Sequence, residues 1–176
     1  MISVPDPAKP ARADKRAAGV AGWGPSDYRK EGAMAGITRT AEAVWEGTGK
    51  EGSGTLTTPS AILSGTRYSF AQRFENAPGT NPEELIAAAH AGCFAMALSF
   101  GLSKEGFKPK RLVAKAAVTV EPKDGGFAIT SSALTLHAEV PGIDREKFAS
   151  IVEGAKSGCP VSKVLNAKVT LEWTLA

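Results

Sequence analysis

From Leu85 to Leu102 the chain carries no charged side chain and is built largely of Ala and Leu, and the first charge afterwards is Lys104. Asn81 reads as an N-cap and Pro82 as the first helical residue, and Glu83 and Glu84 sit where the helix macrodipole favours negative charge. A surface helix would show a polar stripe at every third or fourth position, and this segment has none. It is therefore expected to be a central helix covered on nearly every side. Its length of about 20 residues approaches that of a membrane span. His90, Gly92, Cys93 and Ser99, in a chain of otherwise soluble composition, argue for a buried core helix with a thiol in its middle.

Around that helix the pattern is α+β. Ile37–Trp45, Thr55–Thr58 and Arg67–Phe74 read as three strands separated by Gly-rich turns, with Tyr68 and Phe70 on one face of the third. Ala77 to Thr80 is a turn that delivers the chain to the helix, and Gly106 closes it. Leu112, Ala114, Ala116, Val118 and Val120 alternate along a strand Arg111–Glu121, followed by a hairpin loop at Pro122–Gly126 and a returning strand Phe127–Val140. Pro141 to Asp144 opens a helix Arg145–Ala155, Cys159 and Pro160 begin a short one through Leu165, and Val169–Leu175 is the last strand. The order is β-β-β-α-β-β-α-α-β.

A chain of 176 residues fits one domain, with residues 35–176 forming it. Residues 1–34 are rich in Pro, Gly and charge without periodicity and read as a disordered tail. Met34 precedes the first regular element, so the tail could reflect an upstream start. A net charge of +3, with scattered Lys and Arg, does not argue for nucleic acid. The N-terminal residues lack the apolar run of a signal peptide, so a cytoplasmic, reducing setting is expected. Two cysteines 66 residues apart are too few for a disulfide scaffold, and in such a setting a pair is more often redox-active or free.

Cys159 lies between Gly158 and Pro160 at a helix N-cap, where amides and the helix dipole favour a thiolate. Cys93, inside an apolar helix, could equally be a small packed hydrophobe. His90, three residues earlier, is expected to be packed and hydrogen-bonded in the interior. It could instead act as a base, or join both cysteines in a zinc site with an open position. His137 falls in an alternating strand and is expected at the surface. No Gly-rich phosphate cradle, GxSxG elbow or HExxH motif is present.

At this point the residues match something specific. Gly79-Thr-Asn-Pro-Glu-Glu-Leu-Ile-Ala-Ala-Ala-His-Ala-Gly-Cys-Phe-Ala-Met-Ala-Leu-Ser99 closely resembles the signature of the OsmC family of hydroperoxide reductases. Ala155-Lys-Ser-Gly-Cys-Pro-Val-Ser-Lys-Val-Leu165 is similar to its second signature, in the form typical of OsmC proper rather than of the organic hydroperoxide resistance (Ohr) branch. Ala43 to Gly47, Arg73 to Glu75, Gly126 to Thr130, Val140 to Asp144 and Val169 to Leu171 also fit, so the resemblance runs from about residue 37 to the end.

The resemblance implies an OsmC-like fold, with sheets wrapped around long central helices in an intertwined homodimer. It also implies a thiol peroxidase that reduces organic hydroperoxides and, less efficiently, hydrogen peroxide in stress defence. No metal or organic cofactor is implied, and the reductant would be a dithiol such as a dihydrolipoyl group. Carried over, Cys93 is the peroxidatic cysteine, Cys159 the resolving one, Arg73 the arginine that holds the thiolate and Glu83 the glutamate that holds the arginine. Glu84 is the alternative should that register slip by one. Ile86 and Phe94 would supply apolar walls for an alkyl peroxide. Glu83 and Cys93, about 15 Å apart on a continuous helix at ~1.5 Å per residue, cannot meet within one chain. Composite sites are therefore expected, with the cysteines from one subunit and Glu83 with Arg73 from the other. Two alternatives stand beside this: a metal site of Cys93, Cys159 and His90, and a non-catalytic dimeric module that binds an apolar ligand.

Overall fold

The computed structural model describes residues 36–176, so the tail expected over residues 1–34 and the reading of Met34 lie outside it. The described chain is α+β. Its first three-stranded sheet is the antiparallel meander β1 (Glu42–Glu46), β2 (Ser53–Thr57) and β3 (Thr66–Ser69). Gly54 lets the chain pass under the aromatic pair Trp45 and Tyr68, because a Cβ there would lie 2.5 Å from the Tyr68 ring.

The strand expected to run from Arg67 to Phe74 stops at Ser69. Its hydroxyl accepts from the Gln72 amide and turns the next residues into a one-turn helix, α1 (Phe70–Phe74). Alternation over four residues cannot separate a strand from a strand that ends in a cap, and the Ser69 signal lies inside the apparent alternation.

The second sheet has the order β4-β5-β6, with β4 (Arg111–Lys123) and β5 (Gly126–Glu139) forming the hairpin. Its two-residue turn places Asp124 and Gly125 at φ 51° and 80°, as the twist of a tight hairpin requires. β6 (Lys168–Leu175) runs parallel to β5, which demands a long crossover. That connection carries α3 (Arg145–Gly158), capped by Asp144, and α4 (Pro160–Val164). α3 extends three residues past its expected end and brings Cys159 to the junction of the two helices.

α2 (Pro82–Lys104) begins as expected, with Asn81 capping and Pro82 in the first turn. One stripe of it is fully buried: Phe94, Leu98 and Leu102 pack with Leu134, Leu136 and Ala138 of β5 and with Phe148 and Val152 of α3. The expectation of cover on nearly every side fails within one chain. Met96 and Phe100 on the far face remain 63% and 70% exposed. α2 is long and apolar enough to cross a membrane, yet one stripe of it lies in this core.

Candidate active site

Two constellations stand at different points along α2, one at its N-terminus and one at its middle. The first is built where α1 meets its N-terminus. Gln72 Nε2 donates to the Pro78 carbonyl at 3.0 Å, and Asn81 Nδ2 donates to the Gln72 carbonyl at 3.2 Å. Gly79, at φ +139°, lets the turn pass so closely that a Cβ would fall 1.8 Å from Gln72 Nε2. These ties set Arg73 against the first turn of α2. Its Nε lies 3.2 and 3.1 Å from the two carboxylate oxygens of Glu83, and its Nη2 2.7 Å from Oε1.

Such a two-pronged pair fixes the plane of the guanidinium as well as its position. Glu83 is buried and Arg73 half-exposed, and the Nη1 side makes no hydrogen bond among the described residues. Glu84 points outward, so Glu83 is the residue that meets Arg73. Beside Arg73 lies a cleft of about 230 Å³ whose lining includes Trp45, Tyr68, Phe70 and Phe74.

The second constellation is the thiol pair. Cys159, fully buried between α3 and α4, brings its sulfur to 2.8 Å from that of Cys93, which is half-buried in the middle of α2. No disulfide joins them, and one thiol hydrogen-bonds the other sulfur at 2.8 Å. The surroundings decide which of the two gives up its proton more readily. Burial pushes the Cys93 thiol up from its ordinary pKa, and the hydrogen bond with Cys159 adds to this against a smaller pull from the Val161 amide. Burial also opposes ionisation of Cys159, but the hydrogen bond with Cys93 and the amides and hydroxyl at the start of α4 outweigh it and hold that thiol below its usual range. The sulfur makes no full capping hydrogen bond, but the Val161 and Ser162 amides lie close enough to favour its anion. Within one chain the thiolate is therefore favoured on Cys159.

His90 is fully buried. Its Nδ1 lies 2.7 Å from Ser132 Oγ and its Nε2 2.8 Å from Ser162 Oγ, and burial lowers its pKa, so it is neutral. Both ring nitrogens are thus taken by serines. That arrangement opposes the readings of His90 as a direct base for Cys93 and as a metal ligand. Among the described residues no group of three or more His, Cys, Asp or Glu is placed to hold a metal. His137 is exposed and bonds Thr174.

The chain's own fold joins Cys93 to Cys159 and Arg73 to Glu83, and the two pairs lie at different points along α2. The helix between Glu83 and Cys93 is unbroken, about 15 Å at ~1.5 Å per residue. Of the two residues expected to wall a substrate path, Phe94 is 0% exposed and belongs to the core, while Ile86 is partly exposed. The two serines that hold His90, Ser132 and Ser162, are not among the residues the sequence motifs single out. A sequence signal existed for Ser132, which occupies an inward position in line with Leu134, Leu136 and Ala138 on an otherwise apolar face.

Residues 74–174 match the model of the OsmC-like protein family. The chain is 50% identical over 139 residues to the peroxiredoxin OsmC of Escherichia coli K12, covering 79% of this chain and 97% of that one. It is 32% identical over 102 residues to the organic hydroperoxide resistance protein OhrB of Bacillus subtilis, covering 57% of this chain and 73% of the other. The crystal structure of OhrB superposes with a TM-score of 0.58 at 28% identity, covering 77% of this chain and 98% of that one.

Proposed function

The chain belongs to the OsmC-like protein family, and from that premise we propose that it is a two-cysteine thiol peroxidase of the OsmC branch acting on organic hydroperoxides. The observation that carries the reading is the 2.8 Å approach of two reduced sulfurs, one half-buried and one fully buried. Cys93 is the more accessible of the two and is the one a substrate can reach.

The Cys93 thiolate attacks one peroxide oxygen. An S–O bond forms, the O–O bond breaks, and the alkoxide leaves and takes a proton to become the alcohol. Cys93 is then a sulfenic acid. Cys159 attacks its sulfur, the S–S bond forms, and hydroxide leaves and is protonated to water. An external dithiol, of dihydrolipoyl or similar type, returns both cysteines to thiols as it becomes a disulfide. This cycle suits a reducing compartment such as the cytoplasm.

The first step needs a thiolate on Cys93, and burial opposes it. A guanidinium beside the sulfur would reverse that preference and polarise the departing oxygen. Arg73 carries such a group, oriented by Glu83, but along its own chain it lies far from Cys93. We propose that a second copy supplies it. Two antiparallel α2 helices would cover the exposed Met96 and Phe100 and carry each Arg73–Glu83 pair to the other chain's Cys93. The aromatic cleft next to Arg73 would then hold the alkyl group of the substrate, which favours organic over hydrogen peroxide.

The test is turnover of cumene hydroperoxide with a lipoyl dithiol. Steady peroxide consumption that disappears in Cys93→Ser supports the reading, and consumption that persists in Cys93→Ser overturns it.

A further inference from the structure

α4 is a single turn of five residues, and none of them is buried. A helix that short does not hold itself together, and a segment with few buried contacts lies at the low-stability end of a fold. α3 is rooted differently, through Phe148, Val152 and Ala155 in the core. Cys159 sits at the junction of the two. Its amide donates to the Ala155 carbonyl of α3 at 2.9 Å, and its carbonyl accepts from the Lys163 amide of α4 at 3.1 Å. One side of the cysteine is therefore fixed by the core, and the other only as firmly as α4 is.

The polar tie that holds α4 is a buried imidazole. His90 Nε2 lies 2.8 Å from Ser162 Oγ, and among the described residues Ser162 is the only α4 side chain that makes a hydrogen bond. Val161 adds an apolar contact at the edge of the core. The other ring nitrogen, Nδ1, lies 2.7 Å from Ser132 Oγ on β5, the central strand of its sheet. His90 and Ser132 are fully buried, where an apolar pair would pack without the cost of dehydrating two polar groups. A neutral imidazole has one donor and one acceptor, and two hydroxyls satisfy both. Ser132 thus fixes the ring to the sheet and aims its other nitrogen at α4.

Two bridges between α2 and α4 stand side by side. His90 is three residues before Cys93 on α2, and Ser162 is three residues after Cys159, so the His90–Ser162 bond runs beside the Cys93–Cys159 contact. We propose that His90 is a positioning residue for the resolving step: its bond to Ser162 holds α4 against α2 and keeps Cys159 within reach of the Cys93 sulfur. The inference rests on the two-cysteine reading above. In that step the Cys159 sulfur attacks the Cys93 sulfenic acid, and the S–S bond forms as the S–O bond breaks. The hydroxyl of the sulfenic acid and the proton of the Cys159 thiol leave as water, and His90 neither gives nor takes a proton. A disulfide forms only within a narrow geometry, with Cβ atoms about 3.8 Å apart. A displacement of about 1 Å at a reacting group can cost about a hundredfold in rate.

Two measurements read the tether. Single-turnover kinetics with cumene hydroperoxide, quenched with an alkylating agent and read by mass spectrometry, separate sulfenic acid formation from disulfide formation. Equilibration of the Cys93–Cys159 pair in a dithiothreitol redox buffer gives its reduction potential and needs no peroxide. Ser162→Thr keeps the hydroxyl, and Ser162→Val has the shape of that variant without it. His90→Leu cuts the same tie from the other side and leaves α4 unchanged. In Ser162→Val and His90→Leu disulfide formation should slow by about tenfold to a hundredfold, and by far more than sulfenic acid formation. The potential of the pair should rise by about 30–60 mV, the same factor at ~29.6 mV per decade, because the disulfide must then hold α4 in place alone. Ser162→Thr should keep both values close to wild type.

A wild-type resolution rate or a wild-type potential in Ser162→Val would overturn the proposal. So would a Ser162→Thr protein as impaired as Ser162→Val, or a folded His90→Leu that resolves at the wild-type rate. Should His90→Leu fail to fold, the Ser162 pair decides alone. If wild type forms no sulfenic acid on Cys93, the peroxidase reading falls, and the potentials still decide the tether.

Discussion

Glu83 and Cys93 lie on one unbroken helix, ten residues apart, with Glu83 tied to Arg73 of its own chain and Cys93 tied to Cys159. A glutamate side chain cannot bridge about 15 Å, so the first turn and the middle of one α2 serve different sites in the proposed dimer. Co-expression of differently tagged Cys93→Ser and Glu83→Ala chains, followed by isolation of the heterodimer, distinguishes shared from separate sites. With shared sites one intact site forms, and we expect about half the wild-type activity per dimer by counting sites. A heterodimer as inactive as the Cys93→Ser parent would rule shared sites out.

Arg73→Lys keeps the charge and loses the fork that Glu83 holds by Nε and Nη2. Hydrogen bonds to charged groups are worth about 1.5–3 kcal/mol, so kcat/KM should fall by roughly tenfold to a hundredfold. Arg73→Met removes the cation altogether. Burial then leaves Cys93 above the ordinary thiol range, and sulfenic acid formation should rise about tenfold per pH unit below that pKa. Stopped-flow peroxide consumption across pH reads both effects. A flat profile in Arg73→Met would show that the guanidinium does not set the Cys93 thiolate.

Cys159→Ser should complete one reduction and stall, because nothing remains 2.8 Å from Cys93 to capture the sulfenic acid. Mass spectrometry after a peroxide pulse should find one or two oxygens on Cys93. Multiple turnover with the same dithiol at the wild-type rate would show that Cys159 is not the resolver.

Gly79→Ala should destabilise the protein by about 1–3 kcal/mol, since residue 79 sits at φ +139° and a methyl group there collides with Gln72. Urea unfolding reads the stability. Because Gln72 and Asn81 together set Arg73 against Glu83, activity should fall even at low temperature where the variant is folded.

The α2 cap and the N-cap position of Cys159 were legible in the sequence, because each is announced by residues adjacent in the chain, Asn81 with Pro82 and Cys159 with Pro160. The hairpin was legible too, but its loop is the two residues Asp124 and Gly125 and not Pro122–Gly126, because the pairing runs on to Lys123 and Gly126. α1 was not, since Ser69 both ends a strand and caps a helix within one alternating stretch. The cover of α2 is not legible, because composition states how much apolar surface must be hidden and not which chain hides it, as Met96 and Phe100 show. Alternation marks Ser132 as inward-facing, but its pairing with His90 is not legible, for a related reason. Ser132 and Ser162 are 42 and 72 residues away and converge only once β5 and α4 flank the helix.

The most direct measurement is to give the fully reduced protein one equivalent of organic hydroperoxide per chain and map its cysteines. We expect one equivalent of alcohol, loss of both thiols, and a Cys93–Cys159 disulfide within each chain that a lipoyl dithiol reverses. Peroxide consumed while Cys93 and Cys159 both remain free thiols would contradict the two-cysteine mechanism.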